Sequence, residues 1–309
     1  MQTVLITGGT GMVGKTLANA LLAKGYRVII LSRNLQQAGQ NLSYAKWDLK
    51  KQEIDIEAVQ QADHIIHLAG AGVVEKKWTP AYKKEIIESR TESSRLIFET
   101  LKNNENKVRS VISASAIGWY SADSMPVKPF RETADADESF LGQTCKLWEA
   151  SIEPVTSLGK RLVKLRTGIV LGKDGGALAE FKKPIRFGVA AILSHGKQVV
   201  SWIHIDDLCR MFIAAIENEM MQGAYNAVAP GAVSNKTLTL VLAKKMNGKL
   251  FVPVHVPAFV LKITMGQRSI EVLKSTTVSC QKIMDTGFEF EYNDIDAALH
   301  DLLKATGRH

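Results

Sequence analysis

The sequence has 309 residues, of which 46% are apolar and 23% are charged, as in ordinary globular proteins. This length exceeds the size at which a single hydrophobic core usually stops growing, so we expect one large domain or two domains. The net charge of +8 would suit a nucleic-acid-binding protein, but the basic residues are scattered and form no block interleaved with aromatic residues, which argues against that class.

An apolar run followed by three glycines opens the chain. Val4–Thr7 predicts a strand, Gly8, Gly11 and Gly14 follow, and Lys15–Lys24 has apolar residues at helical spacing. This order is typical of a dinucleotide site, where the three glycines permit a sharp turn, the approach of a pyrophosphate and close helix packing. The helix N-terminus then faces the phosphates with free N–H groups. The structural alternative is a glycine-rich turn without a ligand.

The second predicted strand, Tyr26–Leu31, ends at Ser32 and Arg33. An NAD site carries an acidic residue at about this position, roughly 20 residues past the glycines, to hold the ribose 2′-hydroxyl. The guanidinium of Arg33 would instead pair with a 2′-phosphate. The sequence therefore predicts NADP as the cofactor, and the alternative is a solvated loop arginine.

Two further strands are predicted to end at the same edge. Ser43–Lys46 is followed by Asp48 and Leu49, and this aspartate would either bond the adenine amino group or cap a turn. Asp63–Leu68 is followed by Ala69 and Gly70. Small residues at a strand end let the backbone lie against a cofactor.

Helical and strand patterns then alternate. They predict a helix over Thr79–Asn104, a strand over Lys107–Ile112, a helix over Ser139–Leu158 and a strand over Arg161–Leu171. The small and polar segment Ser113–Tyr120 is expected to face the nicotinamide. The alternation predicts an α/β fold, a doubly wound parallel sheet of the Rossmann type.

The C-terminal half differs in composition from the N-terminal half. The segment Lys173–Lys197 is rich in glycine and lysine and is expected to cross the mouth of the site, and Asp206 or Asp207 is expected to cap the next helix. The remaining predicted elements are a strand over Tyr225–Val228 and helices over Leu208–Glu217, Ser234–Asn247 and Asp294–Leu303. We predict a Rossmann domain over residues 1–172, returning at about 199–230, and a smaller α+β substrate or lid domain over 173–198 and 231–309.

The chain resembles the extended short-chain dehydrogenase/reductase superfamily in four motifs: Thr7–Gly14, His67–Gly70, Ser113–Ser115 and Arg166–Gly168. More narrowly, it resembles the atypical, NAD-dependent epimerase/dehydratase-like "epimerase family" branch with its own C-terminal domain. The motifs for this branch are Glu88–Arg90, Ser113–Tyr120, Phe140–Gly142, Trp148–Glu149, Arg166–Gly172, Ser201–Leu208 and Gly287–Phe290. The resemblance implies an NADP-binding Rossmann domain with a small substrate domain over it.

The superfamily's catalytic pair, a tyrosine and a lysine four residues later on one helix, is missing. Leu141 stands where the tyrosine is expected and Cys145 where the lysine is expected. Lys146 is one position out, about 100° around a helix, and cannot substitute directly. The atypical branch likewise looks to lack this pair.

Other residues are candidates for the chemistry. Tyr120 is the first candidate acid/base, and Ser113 and Ser115 would hydrogen-bond a substrate carbonyl. Cys145 and His204 are lesser candidates, since a lone cysteine is more often a buried filler and a lone histidine more often a structural hydrogen-bonding residue.

The predicted cofactor-binding residues combine the glycine turn, the strand ends and the matched motifs. They are Gly8, Thr10, Gly11, Met12, Val13, Gly14, Ser32, Arg33, Asp48, Leu49, Leu68, Ala69, Gly70, Ser113, Arg166 and Gly168. The function predicted by the resemblance is an NADP(H)-binding oxidoreductase or epimerase acting on a carbonyl or carbinol of a sugar-nucleotide-like substrate. The alternative is a non-catalytic NADP(H)-sensing regulatory protein.

The expected partner is a small-molecule substrate, with no nucleic acid and no membrane; monomer and dimer both stay open. The apolar runs are short for a bilayer span, and the first residues enter a strand, which does not fit a signal peptide. Cys145, Cys209 and Cys280 are expected to be free thiols of a reducing compartment, so a cytoplasmic location is predicted. No cysteine/histidine cluster has metal spacing, and no metal is predicted.

Overall fold

A computed structural model describes residues 1–173 and 175–304 of the chain. Position 174 and the last five residues, which belong to the predicted smaller domain, lie outside the described residues. The strands are β1 Thr3–Thr7, β2 Arg27–Ser32, β3 Leu42–Asp48, β4 Glu53–Ile54, β5 His64–His67, β6 Ser110–Ala116, β7 Arg161–Thr167, β8 Ile169–Gly172, β9 Val189–Leu193, β10 Val199–Val200, β11 Trp202–His204, β12 Gly223–Ala227, β13 Val233–Ser234 and β14 Val252–Val256.

Helices alternate with these strands along most of the chain. The α-helices are α1 Met12–Ala23, α2 Ile56–Gln61, α3 Pro80–Asn103, α4 Phe140–Ile152, α5 Gly176–Ile185, α6 Ile205–Glu217, α7 Asn235–Asn247, α8 Ala258–Met265, α9 Ser269–Leu273, α10 Gln281–Met284 and α11 Ile295–Leu303. Short 3-10 helices cover Ile117–Trp119, Glu153–Leu158 and Gly266–Arg268.

The main sheet has eight strands in the order β12-β7-β6-β5-β1-β2-β3-β4. β1 runs parallel to β2 on one side and to β5 on the other, with Val4 opposite Val28 and His64. All five residues of β1 are buried, as expected for a parallel strand covered on both faces. The chain order reverses direction at β1, and ligands of such sheets bind outside the carboxyl ends of the strands at this switch point. The predicted α/β fold class is confirmed.

Most predicted elements fall within a few residues of the observed ones, but two predictions are wrong. The single strand predicted over Arg161–Leu171 is two strands interrupted at Gly168, because β8 leaves the main sheet and pairs in parallel with β11. The capping role of Asp206 and Asp207 is also wrong: α6 begins at Ile205 and both carboxylates lie in its first turn. Asp207 instead accepts hydrogen bonds from the backbone N–H groups of residues 291 and 292.

The chain forms two compact units. The first unit contains Met1–Trp119, Asp135–Arg166 and Cys209–Tyr225, and the second contains Tyr120–Ala134, Thr167–Leu208 and the chain from Asn226 onward. This division differs from the predicted boundary at residue 172, because β8 and β11 pair within the second unit. Among the helices of the described chain, we find none with the length and hydrophobicity of a bilayer span.

Candidate functional site

The turn after β1 has a shape that only glycine permits at two of its positions. Gly8 has a φ of +69°, and a Cβ there would lie 2.8 Å from the carbonyl carbon of Leu68. A Cβ at Gly14 would lie 2.4 Å from the Gly8 carbonyl oxygen and 2.5 Å from the Gly9 Cα. Real Cβ atoms do not approach backbone this closely. Gly8 therefore lets the turn pack closely against the end of β5, and Gly14 lets α1 pack closely against the turn.

Gly11 has a different reason to lack a side chain. Its φ of −75° is open to any residue, and a Cβ there would meet only the Gly8 carbonyl oxygen, at 3.4 Å. Nothing in the protein's own packing therefore demands glycine at this exposed position. Gly11 leaves the main chain open to solvent at this point, as a pyrophosphate lying against the backbone requires.

The N-terminus of α1 is available to an anion. The helix begins at Met12, followed by Val13, and no side chain caps it at Gly11. No acidic residue lies in its first turn. The first N–H groups of a helix have no intrahelical partner, and with the helix dipole they attract phosphate. Thr10 is exposed beside them.

A buried histidine ties the end of β1 to the end of β5. The Thr7 hydroxyl accepts the backbone N–H groups of Leu68 and Ala69, at 3.1 and 3.2 Å. Its own proton therefore goes to His67 Nδ1, 2.7 Å away. Burial lowers the pKa of His67 to about 3, so the ring is neutral, with its proton on Nε2 facing the Ser93 hydroxyl at 3.1 Å. This network holds Leu68 and Ala69 against the glycine turn, and their contact with a cofactor stays a prediction.

The residues predicted to contact the adenine half of the cofactor lie at the ends of β2 and β3 or just after them. Ser32 and Arg33 follow β2, and the Ser32 hydroxyl donates to the Asn34 carbonyl oxygen at 2.8 Å. The Arg33 side chain is exposed. The Asp48 carboxylate accepts a hydrogen bond from the Lys50 N–H at 3.0 Å. It therefore caps the turn after β3, which is one of the two roles predicted for it. Leu49 packs against the hydrophobic core.

Two predicted site residues lie in a buried polar network of the first unit, and a third, Ser113, is buried in the same strand as one of them. Arg166 donates from Nε and Nη2 to the two carboxylate oxygens of Glu149, at 2.8 and 3.0 Å, and its guanidinium lies 3.7 Å from the Trp119 ring centroid. Ser115 donates to the same carboxylate at 2.7 Å. Ser113 is 1% exposed and its hydroxyl donates to the Ala114 carbonyl oxygen. In this structure all three groups are buried and bonded within the protein; the cofactor roles of Arg166 and Ser113 and the substrate roles of both serines stay predictions.

Tyr120 and Gly168 belong to the second unit. Tyr120 is fully buried, its ring stacks on Phe130 and its hydroxyl donates to Asn226 Oδ1 at 2.6 Å. The hydroxyl is therefore not open to a substrate in this structure, and the catalytic role of Tyr120 stays a prediction. Gly168 donates its N–H to the Ala227 carbonyl oxygen, and a Cβ there would lie 2.6 Å from the Ser201 carbonyl oxygen. Glycine is therefore required at position 168 by the close approach of the Ser201 backbone.

Replacing Tyr120 with phenylalanine should lower the free energy of unfolding by about 1–3 kcal/mol, because Asn226 Oδ1 loses a buried donor. Cofactor affinity should not change. Chemical denaturation and coenzyme titration measure the two effects. Tyr44→Phe is the matched control, since no described residue bonds the half-buried Tyr44 hydroxyl, and it should change neither. A Tyr120→Phe protein with wild-type stability and lost turnover would instead support the catalytic role.

The positions of the missing catalytic pair lie on α4, against the turn after β6. A Cβ at Gly118 would lie 3.2 Å from Leu141 Cβ and 3.6 Å from Cys145 Sγ. Burial raises the pKa of the Cys145 thiol to about 12. The thiol is therefore protonated at neutral pH and is neither a base nor a nucleophile. All three cysteines are free and buried in this structure.

His204 is also structural in its contacts. It is fully buried, Nδ1 accepts the Asp206 N–H at 3.1 Å, and the ring stacks on Tyr292 with 3.7 Å between centroids. Nε2 lies 3.5 Å from an Asp301 carboxylate oxygen that is also 3.8 Å from Lys173 Nζ. Burial lowers the pKa of His204, which keeps the ring neutral.

Arg90 belongs to the Glu88–Arg90 motif, and its sequence pattern predicted no role for it. Arg90 Nη1 donates to the Ala71 and Ile86 carbonyl oxygens, at 3.0 and 2.8 Å. A Cβ at Gly70 would lie 3.0 Å from its guanidinium carbon. The guanidinium thus lies flat against the segment that follows β5. The only sequence signal for this contact was the pairing of a glycine-rich strand end with an arginine on the next helix.

Sequence comparisons place the chain among known proteins. Residues 4–145 match the NAD dependent epimerase/dehydratase family, and residues 256–302 match a domain of unknown function, DUF1731. An epimerase family protein of Staphylococcus saprophyticus is 34% identical over 98% of this chain and 100% of its own length. One from Staphylococcus aureus is also 34% identical, over the same shares of the two chains.

Solved structures agree with the sequence relatives. The human epimerase family protein SDR39U1, crystallised with NADPH, matches with a TM-score of 0.84 and 25% identity, over 97% of this chain and 99% of the human one. A nucleoside-diphosphate sugar epimerase from Corynebacterium glutamicum matches with a TM-score of 0.77 and 29% identity, over 98% of this chain and 58% of that one. The chain therefore belongs to the epimerase family proteins, with an NAD-dependent epimerase/dehydratase segment followed by a DUF1731 segment.

Proposed function

We propose that this protein binds NADP(H) and is an atypical short-chain reductase, an oxidoreductase or epimerase that acts on a carbonyl or carbinol carbon. The observation that carries the proposal is the glycine turn, in which Gly11 is free of any packing requirement beside an uncapped helix N-terminus. The human relative crystallised with NADPH supports the choice of coenzyme. The sugar-nucleotide-like substrate class rests on family membership, and we propose a cytoplasmic location.

The chain's own residues divide the binding task. Gly8 and Gly14 hold the turn in shape, and the N–H groups at the start of α1 receive the diphosphate. Arg33, exposed past the end of β2, pairs with the 2′-phosphate. A bound nicotinamide coenzyme supplies hydride chemistry. Leu141 exchanges no proton and the Cys145 thiol stays protonated, so proton transfer falls to the substrate, solvent or a residue outside the predicted set.

Replacing Arg33 with alanine should weaken NADPH binding about tenfold or more and leave NADH binding unchanged, because a guanidinium–phosphate pair exists only with NADPH. Isothermal titration calorimetry measures both affinities. Arg27→Ala is the matched control, since Arg27 is an exposed arginine at the other end of the same strand. Equal losses for the two coenzymes would contradict the 2′-phosphate contact.

A non-catalytic NADP(H) sensor is the second candidate. It is favoured by a specific observation: Tyr120, Ser113 and Ser115 are all buried and bonded to the protein, so no predicted acid/base group is open to a substrate. In this reading the coenzyme orders the protein and a partner recognises the change.

Coenzyme titration and a turnover screen separate the two candidates. Purified protein with NADPH is mixed with aldehydes, ketones and sugar nucleotides, and the nicotinamide absorbance is followed. Oxidation of NADPH by any member supports the reductase, and epimerisation is followed by separating the sugar nucleotides. Tight NADPH binding without turnover favours the sensor. The absence of binding by either nicotinamide coenzyme would overturn both.

A further inference from the structure

Arg90 carries a positive charge that the described protein does not neutralise. Only Nη1 has acceptors, the two backbone carbonyl oxygens at Ala71 and Ile86, and the guanidinium lies 4.9 Å from the Trp148 ring centroid. Within residues 1–173 and 175–304, no carboxylate lies within ion-pair distance of it. Arg90 is half-buried, and burial lowers its pKa, as expected for a charge without a counter-ion. Nε and Nη2 are left to donate to a ligand.

The sheet order locates this charge relative to the proposed coenzyme. The diphosphate lies at the turn after β1, and the adenine ribose lies toward β2, where Arg33 follows the strand. The other half of a dinucleotide must then extend toward β5 and β6, on the opposite side of β1. Arg90 lies against Gly70, in the segment that follows β5. It is therefore on the nicotinamide side.

We propose that Arg90 is the cation of the nicotinamide half of the site, with Nε and Nη2 donating to oxygen atoms of the nicotinamide ribose and its phosphate. The inference rests on the proposed NADP(H)-binding function and deepens it. Charge-assisted hydrogen bonds of this kind are about twice as strong as neutral ones, and a planar guanidinium holds two oxygens at once. Arg90 is a positioning residue for the coenzyme.

The neighbourhood of Cys145 supports this position. Cys145 stands where the superfamily resemblance expects a lysine, and the Arg90 guanidinium is near enough to oppose the burial that raises the pKa of this thiol. Arg90 also stacks on Trp148, less than one turn further along α4. A positive charge is thus retained beside α4, but it is supplied by α3.

Two ligands test the proposal by calorimetry: NADPH, and adenosine 2′,5′-bisphosphate, which lacks the diphosphate link and the nicotinamide half. Arg90→Met should weaken NADPH binding about tenfold or more and leave the bisphosphate unchanged. Arg90→Lys should recover part of the loss. Gly70→Ala should behave like Arg90→Met, because its Cβ would displace the guanidinium. Arg33→Ala should weaken both ligands.

Arg95→Met is the control for removing a charge from α3, since Arg95 is exposed and paired with Glu92; it should change neither affinity. Unchanged bisphosphate binding also shows that each variant is folded. If Arg90→Met weakens both ligands alike, or neither, the assignment of Arg90 to the nicotinamide half is overturned while NADP(H) binding stands. If the wild-type protein binds no NADPH, the proposed function fails first.

Discussion

Replacing Gly11 with alanine should leave the protein folded and weaken NADPH binding about tenfold or more. Replacing Gly14 with alanine should instead lower the free energy of unfolding by about 3 kcal/mol. The two glycines are three residues apart on one turn and differ in what surrounds them. A Cβ at Gly11 has ordinary contact distance to its nearest protein atom, 3.4 Å away. A Cβ at Gly14 would overlap the backbone of Gly8, at 2.4 Å. Thermal unfolding and calorimetry separate the two effects.

Gly25→Ala is the control for altering a glycine next to α1 without a contact. No other atom of the described residues lies within 4 Å of a Cβ at this position, and the φ of +83° is what opposes the change. This variant should lose about 1 kcal/mol of stability and no coenzyme affinity. Wild-type NADPH affinity in Gly11→Ala would show that no diphosphate lies against the turn, and the proposed function would lose its main support.

Replacing Glu149 with alanine should lower the free energy of unfolding by about 3–5 kcal/mol, because the variant removes the carboxylate that neutralises a buried guanidinium. Arg166 is 3% exposed and Glu149 5% exposed, and the two form a bidentate pair. Ser115 loses its acceptor in the same variant. Denaturant unfolding monitored by circular dichroism gives the difference directly.

Glu53→Ala is the matched control for losing an ion pair. Glu53 lies 2.9 Å from Lys46 Nζ, but both side chains are largely exposed to water, with exposed fractions of 45% and 60%. Water screens the attraction between two exposed charges, so this variant should unfold nearly as the wild type does. A similar small loss in Glu149→Ala would mean that the buried network contributes little to stability.

The sequence was informative where a local pattern decides the structure. The apolar run of β1, the three glycines and the helical spacing of α1 are contiguous, so each could be recognised without knowing any distant contact. The break of the sixth predicted strand at Gly168 could not, because it depends on the pairing of β8 with β11. The apolar run itself continues through the break.

Site residues were harder to predict than strands because a hydroxyl or guanidinium takes its role from its partners. Ser115 and Arg166 stand at strand ends that looked like a site lining, but both bond Glu149 on another element. Tyr120 is bonded to Asn226, far along the chain. Arg90 shows the converse: its significance lies in the lack of a carboxylate partner among the described residues, which no sequence pattern states.

The three buried cysteines are natural probes of local unfolding. Alkylating reagents attack the thiolate, and burial raises the pKa of Cys145 and of Cys280. Each sulfur therefore becomes reactive when its surroundings open to solvent. Cys145 and Cys209 lie in the first unit and Cys280 lies in the second. The alkylation rate of each cysteine therefore reports local unfolding in its own unit without an introduced probe.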